Sequence, residues 1–350
     1  MSHYGDIPAI RVRHVWHRFG GIEVLRDVSF DVGQGEIFGF IGPNGAGKTT
    51  TIRIMASLLE PTAGRVEIDG HDVSLYPDAV RKLIGYMPDH AGVYERITVV
   101  EYLEFFADAY EVPDGGRVVE TVLELTDLDK LRDRVVVTMS KGMKQRLQLA
   151  RILLHDPKIL ILDEPASDLD PRARIEIRDL LLELRSLGKT IFLSSHILTE
   201  LADVCTSVAI LERGRVVVSG PIHEIAARIS AQSAGLDPNT VNIPTSPDPG
   251  APVTFTAGGV EVPVSVRRRV KVRVIGDARS LVPLISGGPG VVGVEVLNAS
   301  QVLVSYLGDD RFIADMVRHL VTNQVPVVGI EPERNELERI FLEATRGDLQ

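Results

Sequence analysis

The stretch Gly42–Thr50 constrains the fold more than any other part of the sequence. It reads Gly-Pro-Asn-Gly-Ala-Gly-Lys-Thr-Thr and matches the pattern G-x-x-x-x-G-K-[ST]. An apolar run of strand length, Ile37–Ile41, precedes it, and the segment Thr50–Leu59, which has no proline or glycine, follows it. Glycines let backbone N–H groups turn towards one point, and a helix N-terminus attracts negative charge. The pattern therefore predicts a strand, a phosphate-binding loop and a helix in succession.

Two side chains of this loop have predicted roles in holding a nucleotide. We expect Lys48 to reach the β- and γ-phosphates and the Thr49 hydroxyl to ligate Mg²⁺. The remaining residues supply backbone N–H groups around the phosphates. The loop residues that we predict to bind the nucleotide are Gly42, Pro43, Asn44, Gly45, Ala46, Gly47, Lys48, Thr49 and Thr50.

An acidic pair follows a second apolar strand. The run Ile159–Leu162 ends in Asp163 and Glu164. At the end of a buried strand, downstream of a phosphate loop, one carboxylate can hold Mg²⁺ and the other can activate the water that attacks the γ-phosphorus. We therefore predict Asp163 as a metal ligand and Glu164 as a catalytic residue.

Composition excludes several classes of protein. The chain has 350 residues, of which 44% are hydrophobic, and a formal net charge of −10. These values are typical of an ordinary soluble protein of two or three domains, and the acidic balance argues against nucleic acid as a partner. The single cysteine, Cys205, excludes an internal disulfide framework and indicates a reducing compartment. We expect no signal peptide, because the N-terminus lacks a basic stretch followed by an apolar core. We expect no membrane span, because no apolar run approaches ~20 residues.

Hydrophobic patterns predict an α/β fold for the first two thirds of the chain. Residues 8–41 alternate as strands do, which predicts an antiparallel β layer beside a parallel sheet. Residues 90–156 predict a helical insert, with helices over Glu101–Glu111 and Arg117–Leu131. The insert carries an aromatic stripe that fits either core packing or a surface that docks a partner. The stripe consists of Tyr102, Phe105 and Phe106.

A change in composition predicts a domain boundary near residue 230. Residues 231–266 are predicted to be a linker or irregular insertion, because residues 231–259 are rich in Pro, Gly, Ser and Thr. Residues 267–350 show strand and helix patterns and predict a small C-terminal α+β domain. Its last predicted helix is defined by the spacing of Leu337, Ile340 and Phe341.

The stretch Met139–Arg146 lies upstream of the acidic pair and resembles the signature motif of ATP-binding cassette (ABC) ATPases. The phosphate loop, this motif, the acidic pair, Ser167–Pro171 and His196 follow one another in the order and spacing of that family. The resemblance covers residues 8–225, within a predicted ATPase domain of residues 1–230. It implies a P-loop NTPase fold of ABC type that binds and hydrolyses ATP with Mg²⁺.

The resemblance also implies roles for individual residues. Phe19 lies where the family stacks an aromatic ring on adenine, although a core position is the alternative. Ser140 and Gly142 would bind the γ-phosphate of ATP that is held by a second copy of the domain. His196 would lie against the γ-phosphate and act with Lys48 and Glu164 in catalysis. Asp170 would belong to the loop that crosses the dimer interface.

Two motifs depart from the usual family pattern. Lys141 and Met143 stand where glycine and glutamine are most usual, while Ser140 and Gly142 keep the pattern. Asp89 stands where glutamine is usual, and we predict that it contacts the nucleotide site as a Mg²⁺ ligand. Direct ligation, ligation through water and a merely capping or solvated carboxylate all stay open for this residue.

The implied function is that of an ATPase subunit that dimerises around two Mg-ATP and drives export through a separate membrane permease. The permease would hold the chain at the cytoplasmic face of the cell membrane. One alternative is a soluble ABC ATPase that acts on a ribosome or nucleic-acid complex, but such proteins usually have two cassettes, coiled-coil arms or basic tracts. Another is a small-molecule kinase, which the signature motif and Glu164 disfavour.

Overall fold

The computed structural model describes residues 7–89, 92–198, 201, 204–222, 224–225, 228, 254–257, 260–263, 267–307 and 310–332. The chain divides into two units directly after Ile222. The predicted boundary near residue 230 follows shortly afterwards and stays a prediction. Within the described ranges, no helix is both long enough and apolar enough to cross a bilayer.

Six strands form the central sheet of the first unit. They are β3 (Ile37–Ile41), β6 (Ile84–Met87), β7 (Ile159–Leu162), β8 (Thr190–Ser195), β9 (Ser207–Glu212) and β10 (Arg215–Pro221). Their order is β10-β9-β3-β8-β7-β6, and all neighbours are parallel except β9 and β10. Strands β3, β7 and β8 are buried along their whole length. Continuous apolar runs of this kind belong to parallel sheets that are covered on both faces.

A second, antiparallel sheet packs against the first, as the strand patterns predicted. It contains β1 (Ile10–Phe19), β2 (Ile22–Val32), β4 (Ala63–Ile68) and β5 (His71–Asp72) in the order β2-β1-β4-β5. Phe30 on β2 contacts three phenylalanine rings of the central sheet, with ring centroids 5.3 to 5.9 Å apart. Those rings belong to Phe38, Phe40 and Phe192. One aromatic core therefore joins the two sheets and fixes the strand ends that carry the predicted site.

Six α-helices whose bounds are defined belong to the first unit. They are α1 (Lys48–Met55), α2 (Pro77–Leu83), α3 (Val99–Ala109), α4 (Gly115–Leu125), α5 (Lys141–Leu153) and α6 (Pro171–Ser186). Helices α3 to α5 lie between β6 and β7 and form the predicted insert. Helix α4 ends at Leu125, before the predicted end, because Asp127 has a left-handed backbone (φ 51°) and Asp129–Leu131 forms a 3₁₀ turn. In the aromatic stripe, Tyr102 is fully buried whereas Phe105 is half exposed.

The second unit contains an antiparallel sheet with helices, in agreement with the α+β prediction. Its elements are β13 (Arg267–Val274), a 3₁₀ helix (Ala278–Leu281), α7 (Val282–Ile285), β14 (Val291–Asn298), β15 (Gln301–Leu307), α8 (Asp310–Thr322) and β16 (Val327–Pro332). The strand order is β14-β15-β13-β16, and the unit has a hydrophobic cluster of its own. Strands β11 (Thr254–Ala257) and β12 (Val260–Pro263) pair as a hairpin inside the stretch predicted as a linker. The predicted last helix lies outside the described residues.

Candidate active site

The phosphate loop connects the buried strand β3 to helix α1. Two of its glycines have left-handed backbones, Gly45 with φ 81° and Gly47 with φ 113°. A Cβ on Gly47 would lie 2.6 Å from the Leu25 side chain, and one on Gly42 would clash with the Leu211 carbonyl oxygen. Gly47 therefore requires glycine both for backbone conformation and for space, whereas Gly45 requires it for conformation and Gly42 for space.

Lys48 is the first residue of α1, and it is almost completely buried. Its side chain is 6% exposed, and its ammonium donates a hydrogen bond of 2.7 Å to the Gly42 carbonyl oxygen. The same ammonium lies 3.2 Å from Oε1 of Glu164. These contacts keep the Lys48 ammonium close to the N-terminus of α1, where an anion is favoured.

Asp163 follows strand β7 and is 1% exposed. Burial raises the pKa of its carboxyl above the ordinary value, and the nearby hydroxyls of Ser194 and Thr49 lower it in part. The negative charges of Asp89 and Glu164 add to the increase in this pKa. The cause is that a carboxylate loses its hydration here and faces like charges.

The second oxygen of Asp163 fits the chemistry of a cation site. Ser194 donates a hydrogen bond of 2.6 Å to Oδ1 of Asp163, whereas Oδ2 is buried and makes no hydrogen bond within the described part of the chain. A buried carboxylate oxygen without a partner is costly unless a ligand satisfies it. Thr49 and Asp89, which are also predicted metal ligands, both influence the pKa of this carboxyl. Hydroxyl and carboxylate oxygens of this kind suit Mg²⁺.

Glu164 lies between two other predicted catalytic groups. Its Oε2 is 2.9 Å from Nδ1 of His196, while its Oε1 faces the Lys48 ammonium. Its backbone is left-handed (φ 51°), and its N–H donates a hydrogen bond of 3.0 Å to the Ser194 hydroxyl. Strain of this kind persists where the surroundings hold a residue in place, and it is frequent at active sites.

These groups surround one cavity of about 420 Å³, which we call the phosphate cleft. The cavity is lined by Val24, Pro43, Asn44, Gly45, Gly47, Lys48, Thr49, Thr50, Asp89, Glu164, Ser167, Asp168 and His196. Most of the predicted loop residues and the predicted catalytic residues thus meet around a single opening. Asp163 lies behind this lining, in the buried layer next to Thr49.

Phe19 is separate from the described residues that line the phosphate cleft. It is the last residue of β1 and is half exposed, so the structure does not place it in the core. Its ring contacts the buried His17 ring edge to face, with centroids 4.5 Å apart. Stacking on adenine stays a prediction for this exposed ring.

Ser140 and Gly142 also lie outside the phosphate cleft, at the start of α5. The Ser140 hydroxyl accepts a hydrogen bond from the Met143 N–H, and the residue is exposed. Gly142 is buried so closely against α6 that a Cβ would lie 2.7 Å from Cβ of Ala173. We call Ser140–Gly142 the signature end of α5. Within one chain, it does not meet the phosphate loop.

Sequence reasoning missed one residue that the site depends on. The Ser194 hydroxyl donates to Asp163 and accepts from the Glu164 N–H, so one side chain orients both acids. The sequence signal for Ser194 is its position as a polar residue at the carboxyl end of the buried apolar strand β8. This strand is the neighbour of β7, which the acidic pair follows. Side chains at such ends meet at the same edge of a parallel sheet.

Comparisons with known proteins agree with this arrangement. The family model described as ABC transporter matches residues 25–167. An ABC transporter ATP-binding protein of Bacillus subtilis, YhcH, is 40% identical over 212 residues, which cover 59% of this chain and 68% of the relative. The Nod factor export ATP-binding protein I of Ralstonia nicotianae is 34% identical over 223 residues, covering 63% of this chain and 70% of the relative.

A solved structure described as the ATP binding subunit of an ABC transporter has the same fold in its matching part. It is 33% identical, with a TM-score of 0.57, and the match covers 65% of this chain and 94% of that chain. Two cyanobacterial relatives, from Synechocystis and Nostoc, are matched over 58% and 61% of their own length.

Proposed function

Because the chain belongs to the ABC transporter family as an ATP-binding protein, a class of ATPases, we propose that it binds and hydrolyses Mg-ATP in the phosphate cleft to drive export through a separate membrane permease. The observation that carries this proposal is the convergence of three predicted catalytic groups. Glu164 lies 3.2 Å from the Lys48 ammonium and 2.9 Å from the His196 ring.

Lys48 links nucleotide binding to activation of the base. Its ammonium is paired with Glu164 and with the Gly42 carbonyl. The β- and γ-phosphates carry more charge than one carboxylate, so they draw the ammonium away from Glu164. Binding of ATP would therefore release the carboxylate for its catalytic role.

Thr49 and Asp163 would hold Mg²⁺, with Asp89 as a third ligand, directly or through water. The buried Oδ2 of Asp163, which lacks a partner in the described residues, supports this assignment. When bound, Mg²⁺ neutralises charge on the phosphate oxygens. Ser194 keeps the other oxygen of Asp163 occupied and so fixes the orientation of the carboxylate.

Glu164 accepts a proton from the attacking water, and His196 contacts the γ-phosphate. The short distance between these two side chains means that each restricts the orientation of the other. A positioned carboxylate of this type contributes about 10²–10⁴-fold to a rate. The water and the γ-phosphate are therefore brought together by residues of one chain.

A second copy of the chain would complete the site. Ser140 and Gly142 lie outside the phosphate cleft of their own chain, yet they provide a hydroxyl, N–H groups and a helix N-terminus. In the proposed homodimer, each signature end binds the γ-phosphate of ATP held by the other copy. Two Mg-ATP are then enclosed between two identical surfaces.

The Ralstonia relative is named as an export ATP-binding protein, which supports the proposed direction of transport. The permease would be a separate membrane protein that holds the chain at the cytoplasmic face of the membrane. The helical insert offers an exposed aromatic surface for it, where Tyr94 and Phe105 are 57% and 50% exposed with ring centroids 5.5 Å apart.

Replacement of the proposed base tests this function. We expect Glu164→Gln to keep ATP binding and to lower the hydrolysis rate about 10²–10⁴-fold. Because ATP then persists, the variant should sediment as a dimer with Mg-ATP and as a monomer without it. Glu183→Gln, on the outer part of α6, is the matched control and should behave as the parent chain. Normal hydrolysis by the Glu164 variant would refute the proposed role of this residue.

A further inference from the structure

The signature end carries a cation whose counter-ion lies on the wall of the phosphate cleft. The Lys141 ammonium is 3.0 Å from Oδ2 of Asp168. Lys141 is the first residue of α5, whereas Asp168 belongs to the loop before α6 and lines the phosphate cleft. One ion pair thus connects the phosphate cleft, which is proposed to bind the chain's own ATP, with the signature end, which is proposed to contact the ATP of a second copy.

This ion pair is suited to exchange. The Lys141 and Asp168 side chains are 54% and 75% exposed. Water screens a pair at this exposure, so the pair contributes little to the stability of the fold. A phosphate group carries more charge and more acceptor oxygens than a carboxylate, and it therefore displaces the carboxylate from a lysine that both can reach.

The backbone around the pair is fixed while the side chains are exposed. Gly142 packs against Ala173 with no space for a Cβ, and the Gln145 amide donates a hydrogen bond of 2.8 Å to the Pro165 carbonyl oxygen. These contacts hold the start of α5 against the loop and helix that follow the acidic pair. Exchange of the lysine's partner consequently needs rotation of a side chain and no movement of a helix.

The Asp168 carboxylate marks the position where the signature end accepts an anion. Lys141 directly follows Ser140, whose hydroxyl is proposed to contact the γ-phosphate of the second copy's ATP. A lysine on a flexible four-carbon stem can follow an anion placed at its neighbour. Most members of the resembling family carry glycine at this position, so this chain has a cation that the usual pattern lacks.

We propose that Lys141 is a further ligand of the γ-phosphate of ATP held by a second copy, and that Asp168 holds its ammonium until that phosphate arrives. This inference rests on the proposed function, because it requires the nucleotide of the second copy. It adds a charge-assisted contact to the dimer interface and makes closure of the dimer sensitive to salt.

The test uses the Glu164→Gln chain, in which ATP persists, and compares two lysines of the same helix. Lys144 is the matched control, because it is also paired with a carboxylate, Glu95, at 2.9 Å. We expect Lys141→Gln to raise the dimer dissociation constant with Mg-ATP at least about tenfold, the effect of losing one contact with a charged group. Lys144→Gln should leave it near the parental value. Sedimentation velocity across a salt series measures both.

Substitution of the carboxylate that pairs with Lys141 should have the opposite effect. Asp168→Asn removes the competing carboxylate, so it should lower the dimer dissociation constant. Lys141→Gln should also flatten the salt dependence, while calorimetry of the monomer should give unchanged ATP affinity, because Lys141 does not line the phosphate cleft.

Equal dimer affinity of the Lys141 and Lys144 variants would overturn the inference and leave the proposed function intact. Loss of ATP affinity in the Lys141→Gln monomer would also overturn it, since the lysine would then act within its own chain. Failure of the Glu164→Gln parent to dimerise with Mg-ATP would instead refute the proposed function, and this inference with it. Thermal unfolding of each variant establishes that the comparison is made on folded protein.

Discussion

The phosphate cleft and the signature end of α5 both place a helix N-terminus beside a lysine, but the two lysines differ in burial. In the cleft, Lys48 is 6% exposed and its partner Glu164 is 11% exposed. At the signature end, Lys141 is 54% exposed and its partner Asp168 is 75% exposed. Electrostatic interactions are strong where water is excluded and weak where it is not.

This difference indicates two ways of holding the same ligand. The cleft is assembled within one chain, so it can bind a nucleotide before any partner arrives. In the proposed homodimer, the signature end would become effective only when a second surface excludes water from it. Variants of the two regions should therefore affect different measurements: those of the cleft should change binding by the monomer, and those of the signature end should change association.

The largest effect is expected for Lys48→Ala. The change removes the buried cation that faces the phosphates, and charge-assisted contacts of this kind are worth about 1.5–3 kcal/mol. We expect ATP affinity of the monomer, measured by calorimetry, to fall about 100-fold. Lys158→Ala is the control, because that lysine is also paired with a carboxylate, Asp69, at 2.9 Å but is 66% exposed. Unchanged affinity in the Lys48 variant would remove the distinction between the two regions.

A smaller effect is expected for Ser140→Ala at the signature end. ATP affinity of the monomer should stay unchanged, while the hydrolysis rate at saturating ATP should fall about tenfold because one hydroxyl contact to the second copy's γ-phosphate is lost. The substitution also removes the hydroxyl that accepts from the Met143 N–H, which costs about 1 kcal/mol of stability. Ser140→Thr restores the hydroxyl and should recover both properties.

A mixture of the two variants tests whether each site is shared between two copies. A Lys48→Ala chain has an intact signature end, and a Ser140→Ala chain has an intact phosphate cleft. In a mixed dimer, one of the two composite sites is complete, so hydrolysis should exceed the sum of the two separate rates. A mixture that is only additive would argue against sites shared between two copies.

The sequence predicted the cleft better than it predicted the signature end. Asp163 and Glu164 directly follow a buried apolar strand, and Lys48 follows another one through the phosphate loop, so local pattern and sheet geometry place them together. The Ser194 hydroxyl that orients both acids is 31 residues from Asp163, and no local pattern specifies that pairing. The ion pair of Lys141 with Asp168 spans 27 residues between two exposed side chains, where neither periodicity nor burial constrains the partner.

The end of helix α4 shows the same limit of prediction from sequence. The helical period predicted a helix as far as Leu131, yet α4 ends at Leu125. The Thr126 hydroxyl donates a hydrogen bond of 2.7 Å to the Val122 carbonyl oxygen, and Asp127 then turns into the left-handed region. Such local competition between a side chain and the helix ends it without any change in the hydrophobic pattern.

The smallest effect concerns the stability of the cleft without ligand. Asp163 is buried and its pKa is raised, so its charged form destabilises the fold. Asp163→Asn removes that charge and keeps the oxygen that accepts from Ser194. We expect the thermal midpoint of the nucleotide-free chain to rise by about 3 °C at neutral pH.

The dependence on pH tests the cause of this stabilisation. A carboxyl whose pKa is raised on folding costs nothing below its unfolded pKa, where it is neutral in both states, and its cost is complete above its folded pKa. The advantage of Asp163→Asn should therefore grow as pH rises through that interval and vanish in acid. A rise of the thermal midpoint that is equal at every pH would mean that burial of the Asp163 carboxylate is not the cause of the stabilisation.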